Sequence, residues 1–222
     1  MIVRVGNAPR AAGLSCEEFQ AHWRGEHGGL AGQIEGVRGY VQNHAVLAGG
    51  RTLLPWPGFD ACAEITFDSV EAMDRSFDSE HYRNAVVADE QVMIDKTRFS
   101  LLLADRRVLL DGELPDDAVK LLTVICPAPE TDAEALRSQL ADGYREAVSG
   151  APILRHEQLL EAPGAHAGRQ PAFCAAIDLL WFDRAHTAVE FVGGPQWDRA
   201  RLSLAGLVAG TERLIAQPVR IV

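Results

Sequence analysis

Three of the seven histidines, His22, His27 and His44, fall within the stretch 14–46, LSCEEFQAHWRGEHGGLAGQIEGVRGYVQNHAV, which also carries Tyr40. Imidazole readily takes and gives a proton near neutrality, so this clustering points to acid–base chemistry on a small molecule. His22 and Glu26 are four apart, which is two ligands on one helix face; without an evident third ligand, no metal site is expected. The four cysteines, at 16, 62, 126 and 174, form no CxxC pair. That pattern reads as reduced, mostly buried thiols, against zinc or a disulfide framework.

A helix followed by a strand must position these side chains. Ser15 with Glu18 three residues on is a capping box and opens the helix. Phe19, Trp23, His27, Leu30 and Ile34 then step by 4, 4, 3 and 4 along one face. Gly25, Gly28 and Gly29 weaken the middle, so a break or bend is expected near 28. His22 is expected toward solvent, and Trp23 in the core or against a substrate. Tyr40 and His44 lie on a strand covering about 37 to 47.

The chain has 222 residues, 47% hydrophobic and 23% charged, which suits one large domain or two small ones with a sizeable core. Its net charge of −10, from 21 basic and 31 acidic residues, argues against nucleic acid, whose phosphates demand a basic surface. No apolar run reaches the roughly 18 residues of a membrane span. The N-terminus lacks a secretory apolar core, so a cytoplasmic location is the default expectation.

Self-similarity divides the chain. Phe67-Asp68 recurs as Phe182-Asp183, an offset of 115, and at the same offset 79–85 meets 194–200. The apolar strand at 2–5 is answered at 119–125. The expected organisation is a repeat over 1–110, an acidic linker over 111–118 and a degenerate repeat over 119–222. In the first repeat, strands near 2–8, 37–47 and 60–67 and one from about 96 alternate with helices near 15, 69 and 79. The second has strands near 119–126, 153–160, 173–182 and 217–222. Each repeat reads β-α-β-β-α-β, a ferredoxin-like α+β unit. Two such antiparallel sheets can pack their bare faces into one α/β barrel.

Strand residues alternate sides. Ala61, Ala63, Ile65 and Phe67 form an apolar face suited to the helix layer, which turns Cys62, Glu64 and Thr66 into the barrel. The more polar face of the preceding strand, Tyr40, Gln42 and His44, is expected to join Glu64 inside, with Arg4 and Arg98 in reach. A buried carboxylate needs such partners, and they shift pKa values as catalysis requires. In the second repeat, Leu140 and Tyr144 replace Trp23 and His27, Asp178 is the expected counterpart of Glu64 with Trp181 as a one-residue insertion, and 155–160 offers no equivalent of Tyr40 or His44. One site per chain is therefore expected.

Residues 14–99 resemble the EthD family of the dimeric α/β-barrel superfamily. The resemblance rests on Leu14–Phe19, His22-Trp23 with His27, Gly39–His44, Ala63-Glu64 with Phe67-Asp68-Ser69, and Ser79 with Tyr82-Arg83. It implies two ferredoxin-like halves forming, in one chain, the barrel that single-unit relatives build as homodimers. The chain would then be a monomeric pseudo-dimer or a homodimer. The resemblance carries His27, Tyr40, His44 and Glu64 forward as candidate site residues. Taken with the residue reading, a small hydrophobic or aromatic substrate and no cofactor are expected, with His27, Tyr40 and His44 as catalytic candidates and Glu64, Arg4, Trp23 and Cys62 as substrate-binding ones. The expected activity is that of an isomerase, cyclase or lyase (a decarboxylase, for example) acting on an apolar carbonyl or phenolic compound of polyketide or aromatic metabolism. The alternatives are a cofactor-free monooxygenase and a non-catalytic ligand-binding barrel.

Overall fold

The computed structural model describes residues 1–222. The first repeat supplies strands β1 (Ile2–Ala8), β2 (Gly39–Ala45), β3 (Ala61–Phe67) and β4 (Ser100–Leu110). The second supplies β5 (Val119–Pro127), β6 (Arg155–Glu161), β7 (Ala176–Phe182) and β8 (Val208–Arg220). All eight close one antiparallel barrel in the order β1-β3-β2-β8-β5-β7-β6-β4, with β4 returning to β1. Each repeat thus has the ferredoxin-like neighbour order fourth, first, third, second. The two sheets are stitched through β2–β8 and β4–β6. Closure leaves none of these sheet edges open.

Two strand limits differ from expectation. β4 begins at Ser100, because Lys96–Arg98 coils into a 3₁₀ turn capped by Asp95. β8 starts at Val208, well before 217, since its first half pairs with β5 across a register shift between Val208 and Gly210. Glycine and a bulge disguise that segment as a loop in the sequence.

The first helix is capped as expected: the Glu18 N–H donates to Ser15 Oγ, and the Ser15 N–H donates to the Glu18 carboxylate. It does not break near residue 28. Cys16–His22 passes through a π-helical turn, Trp23–His27, into Gly28–Ala31. The wider turn keeps Phe19, Trp23 and His27 all on the buried side, and such bulges recur at functional sites. Gly28 has a packing reason: a Cβ there would lie 3.3 Å from Ile221 Cδ1 and 3.4 Å from Gln42 Nε2. Ser69 caps the next helix, Val70–Phe77, and a second π turn, Tyr82–Val86, leads into Val87–Met93. The second repeat matches the first helix with Ala133–Gln139, a π turn at Leu140–Tyr144, and Arg145–Val148. Ala185–Val192 and Pro195–Ser203 complete its layer.

The barrel interior is a packed core that includes Val3, Val5, Cys62, Leu102, Leu122, Ile177 and Leu214. Separate cores lie between each sheet and its helices. The β2–β3 hairpin, Leu47–Ala48 paired with Arg51–Thr52, places Leu53 and Leu54 against the second repeat's helix-side core. Reciprocally, the β6–β7 connection places Ala162 and Ala165 on the first repeat's core. It is fastened there by the Leu103 N–H donating to His166 Nε2 at 2.9 Å and by Arg169 on Asp74.

Candidate active site beneath the first helix layer

The strand that carries Tyr40 turns it toward the helices, not into the barrel. Tyr40, Gln42 and His44 all engage the helix side: Gln42 Nε2 donates to the Trp23 carbonyl at 2.7 Å, and His44 stacks on the Trp23 ring at 4.6 Å. The opposite face, with Asn43, points inward, where Asn43 Nδ2 donates to Glu64 Oε1 at 2.9 Å. The expected joining of Tyr40 and His44 with Glu64 is therefore corrected. The His44 ring packs on Trp23, Tyr40 joins the core between sheet and helices, and the Asn43 amide is left to the interior carboxylate.

Glu64 is held instead by one cation from each repeat, Arg106 of the first and Lys120 of the second. Lys120 Nζ lies 2.6 Å from Oε1 and Arg106 Nη2 lies 2.5 Å from Oε2, while Arg106 also pairs with Glu157. Burial pushes the Glu64 carboxyl up, but Lys120 and Arg106 outweigh it and bring it to about 2. With Asn43 and Lys120 on Oε1 and Arg106 on Oε2, this carboxylate is a paired, structural anion at the barrel end. Cys62 lies in the apolar interior, and burial followed by the Glu64 charge pushes its thiol up to about 12. It carries no thiolate at neutral pH.

Arg4 shares neither space nor partner with Glu64. Val5 pairs with Glu64 across β1 and β3, so Arg4 faces the other way, under the helices. Its guanidinium sits 4.4 Å from the Phe77 ring centroid and 5.3 Å from that of Phe99, and it makes no ion pair. Burial lowers its pKa, opposed by Tyr82, Glu90 and Tyr40. An arginine stays charged all the same, so this is a cation presented to an apolar chamber. Arg98 lies elsewhere, over Trp56.

The chamber is a cavity of about 40 Å³ whose walls include Arg4, Trp23, His27, Tyr40, Tyr82 and Glu90. Its floor is made of small residues, Gly6, Ala8, Ala61 and Ala63. Strand register shows why the second repeat differs. Ile2 pairs with Phe67 as Val119 pairs with Phe182, which aligns Arg4 with Leu121, Gly6 with Thr123, Ala8 with Ile125 and Ala63 with Asp178. The expected match of Asp178 to Glu64 is thus displaced by one residue, and Trp181 is no insertion. Tyr40 also has a counterpart after all. Gln158 Nε2 donates to the Leu140 carbonyl as Gln42 does to that of Trp23, which puts His156 at the Tyr40 position and Tyr144 at that of His27. The histidine and tyrosine have traded helix and strand. His156 there pairs with Asp178 at 2.6 Å.

His27 is oriented by a residue that sequence patterning missed. Its Nδ1 lies 2.7 Å from Asp89 Oδ2, and the other oxygen of Asp89 lies 2.6 Å from His22 Nε2. Asp89 is buried and comes from the Val87–Met93 helix. A carboxylate on Nδ1 fixes the imidazole tautomer and leaves Nε2 for proton transfer. His22, expected toward solvent, is tied into this pair. Tyr40 is the second oriented group: its hydroxyl accepts from Gln42 Nε2 at 3.0 Å, and burial pushes its pKa up to about 12, so it stays a donor. Tyr82, also pushed up to about 12 by burial, donates to Glu90 at 3.4 Å. His44 lies outside the cavity. Burial, then Arg24, lowers its pKa to about 4, and its Nε2 meets Gln42 Oε1 at 2.8 Å. It fixes the amide that fixes Tyr40.

Comparison with known proteins agrees with this architecture. Residues 11–97, within the first repeat, match the model of the EthD domain. No curated protein sequence matches the chain. Among solved structures, an anthrone oxidase-like protein superposes with a TM-score of 0.66 at 14% identity, over 99% of this chain and 92% of that one. A proposed monooxygenase from Fusobacterium nucleatum superposes at 0.62 with 11% identity, over 98% and 91%. Another from Lactobacillus acidophilus gives 0.56 at 12% identity, over 100% and 94%. At these identities the likeness is one of fold. No helix is long and apolar enough to cross a membrane.

Proposed function

We propose that the protein is a small-molecule enzyme whose chemistry is proton transfer at a carbon beside a carbonyl, or on a phenol, in the chamber under the first helix layer. The observation that carries this reading is the shared cavity of a carboxylate-anchored His27 and an unpaired, aromatic-packed Arg4. His27 Nε2 acts as the base. The negative charge left on the substrate oxygen falls to the Arg4 guanidinium and the Tyr40 hydroxyl, and His27 returns the proton at a new position. Isomerisation uses this whole sequence. In cyclisation the enolate attacks a second carbonyl, and His27 passes its proton to the resulting alkoxide. In decarboxylation carbon dioxide leaves in place of the proton, and protonated His27 donates to the enolate carbon. Ligand sites usually enclose about 300 Å³ or more, so a cavity of about 40 Å³ admits a substrate only when the helices move outward.

The test is solvent-deuterium exchange followed by proton NMR across a panel of aryl ketones, β-diketones and phenols. The intact protein should catalyse exchange at an acidic C–H, and His27→Ala should lower the rate about 100-fold or more. Absence of exchange across the panel, or an equal rate in His27→Ala, overturns the assignment. The names of the superposing structures favour a second reading, in which the same substrate carbanion reacts with oxygen. Oxygen uptake coupled to substrate loss would identify it.

A further inference from the structure

We propose that His22, Glu26 and Asp89 form a site for a divalent transition-metal ion at the outer rim of the chamber. The sequence offers two of the ligands, four apart on one helix, and the fold supplies the third from a different helix. One donor atom from each residue lies within 4.8 Å of the other two. The donor set of one imidazole and two carboxylates, with room for water, suits zinc, manganese or iron more than calcium or magnesium, which favour oxygen cages.

The geometry is graded from fixed to adjustable. The Asp89 side chain is 5% exposed and its Oδ2 is anchored on His27, so Oδ1 is an immobile ligand. His22 is 27% exposed, with Nε2 already 2.6 Å from that oxygen. Glu26 is 68% exposed, and its carboxylate lies 3.7 Å from His22 Nδ1, the ring nitrogen turned away from Asp89, so it must swing toward Nε2 to join the ion. A metal of this class takes its nitrogen and oxygen ligands at about 2.0–2.2 Å. It would take the place of the proton between His22 and Asp89, part those two atoms by about 0.4 Å in a right-angled arrangement or about 0.8 Å in a tetrahedral one, and draw in the exposed Glu26. The His27 contact to Oδ2 is left in place, so the ion becomes the outer end of a metal–carboxylate–imidazole chain. The site opens to solvent through His22 and Glu26, which gives the ion an entry path.

Isothermal titration of the metal-stripped full chain with zinc, together with visible spectra on adding cobalt(II), tests this without any assay of turnover. One equivalent should bind, with the intense visible bands of a low-symmetry nitrogen–oxygen cobalt site. His22→Ala and Glu26→Gln should each weaken binding about tenfold or more and change those bands; the exposure of Glu26 makes its variant safe for folding. No binding, or binding and spectra unchanged in both variants, overturns the site. The result is independent of the proposed reaction, which His27→Ala tests separately.

Discussion

At the scale of single residues, the first repeat separates titratable groups by what surrounds them. His27, on the first helix, meets a carboxylate; His44, on the strand that follows, meets an indole ring and an amide. The His44 case has a stability consequence. Its folded pKa of about 4 lies below the model-peptide value of 6.5, so between those values the unfolded chain binds a proton that the native one refuses. Stability therefore falls as pH drops through 6.5 and levels off below 4. Urea unfolding at pH 7 and pH 5 should show this single group removing about 2 kcal/mol. His44→Leu, which copies Leu160 at the corresponding place, should flatten that difference, and an unchanged slope would remove the neutral-imidazole assignment. Residue pattern alone was good at naming candidates and poor at aiming them. Both faces of 39–45 carry polar groups, so alternation could not say which met the barrel; the Trp23 ring and the Glu64 charge decided it. Asp89 was invisible because it lies 62 residues from His27 in a run that reads as a solvated helix face. Only helix-on-helix packing reveals it.

Among elements, the legible features were the local ones. The capping box, the strand order and the two repeats could be read because each depends on near neighbours or on a fixed offset. The π turns could not, since an extra residue per turn leaves the apolar spacing of 19, 23 and 27 looking like an ordinary helix. The cavity was equally hidden: it arises from small residues on two paired strands that are far apart in sequence. Gly6 lies against its neighbours: an added Cβ would be 3.1 Å from both Arg4 Nη1 and a Phe99 ring carbon. Gly6→Thr, the residue found at the matching position of the second repeat, should crowd Arg4 and close the chamber while suiting a strand backbone. Ligand binding or turnover should be lost, with melting temperature near that of the parent. Retained activity would place the chemistry elsewhere.

Across the whole molecule, the barrel joins its halves through charge as well as strands. Glu64 of the first repeat and Lys120 of the second are each 2% exposed and meet at 2.6 Å. Such a pair is costly to break from one side, because the remaining ion is stranded, yet replacing both by apolar groups is often neutral. Glu64→Leu should lose about 3 kcal/mol or more in denaturant titration, and Glu64→Leu with Lys120→Met should recover most of it. Equal losses in single and double variants would mean that Arg106 and Asn43, not Lys120, set the cost. The exchange of loops between halves adds a mechanical tie of the same kind. The floor of Gly6, Ala8 and Ala63, set against Thr123, Ile125 and Asp178, carries a further consequence. In a barrel built from two identical chains, every substitution is made twice, so a hollow opened on one side opens on the other. A fused chain escapes that symmetry: one half can be excavated while the other stays solid, and each change in the hollow half is felt once.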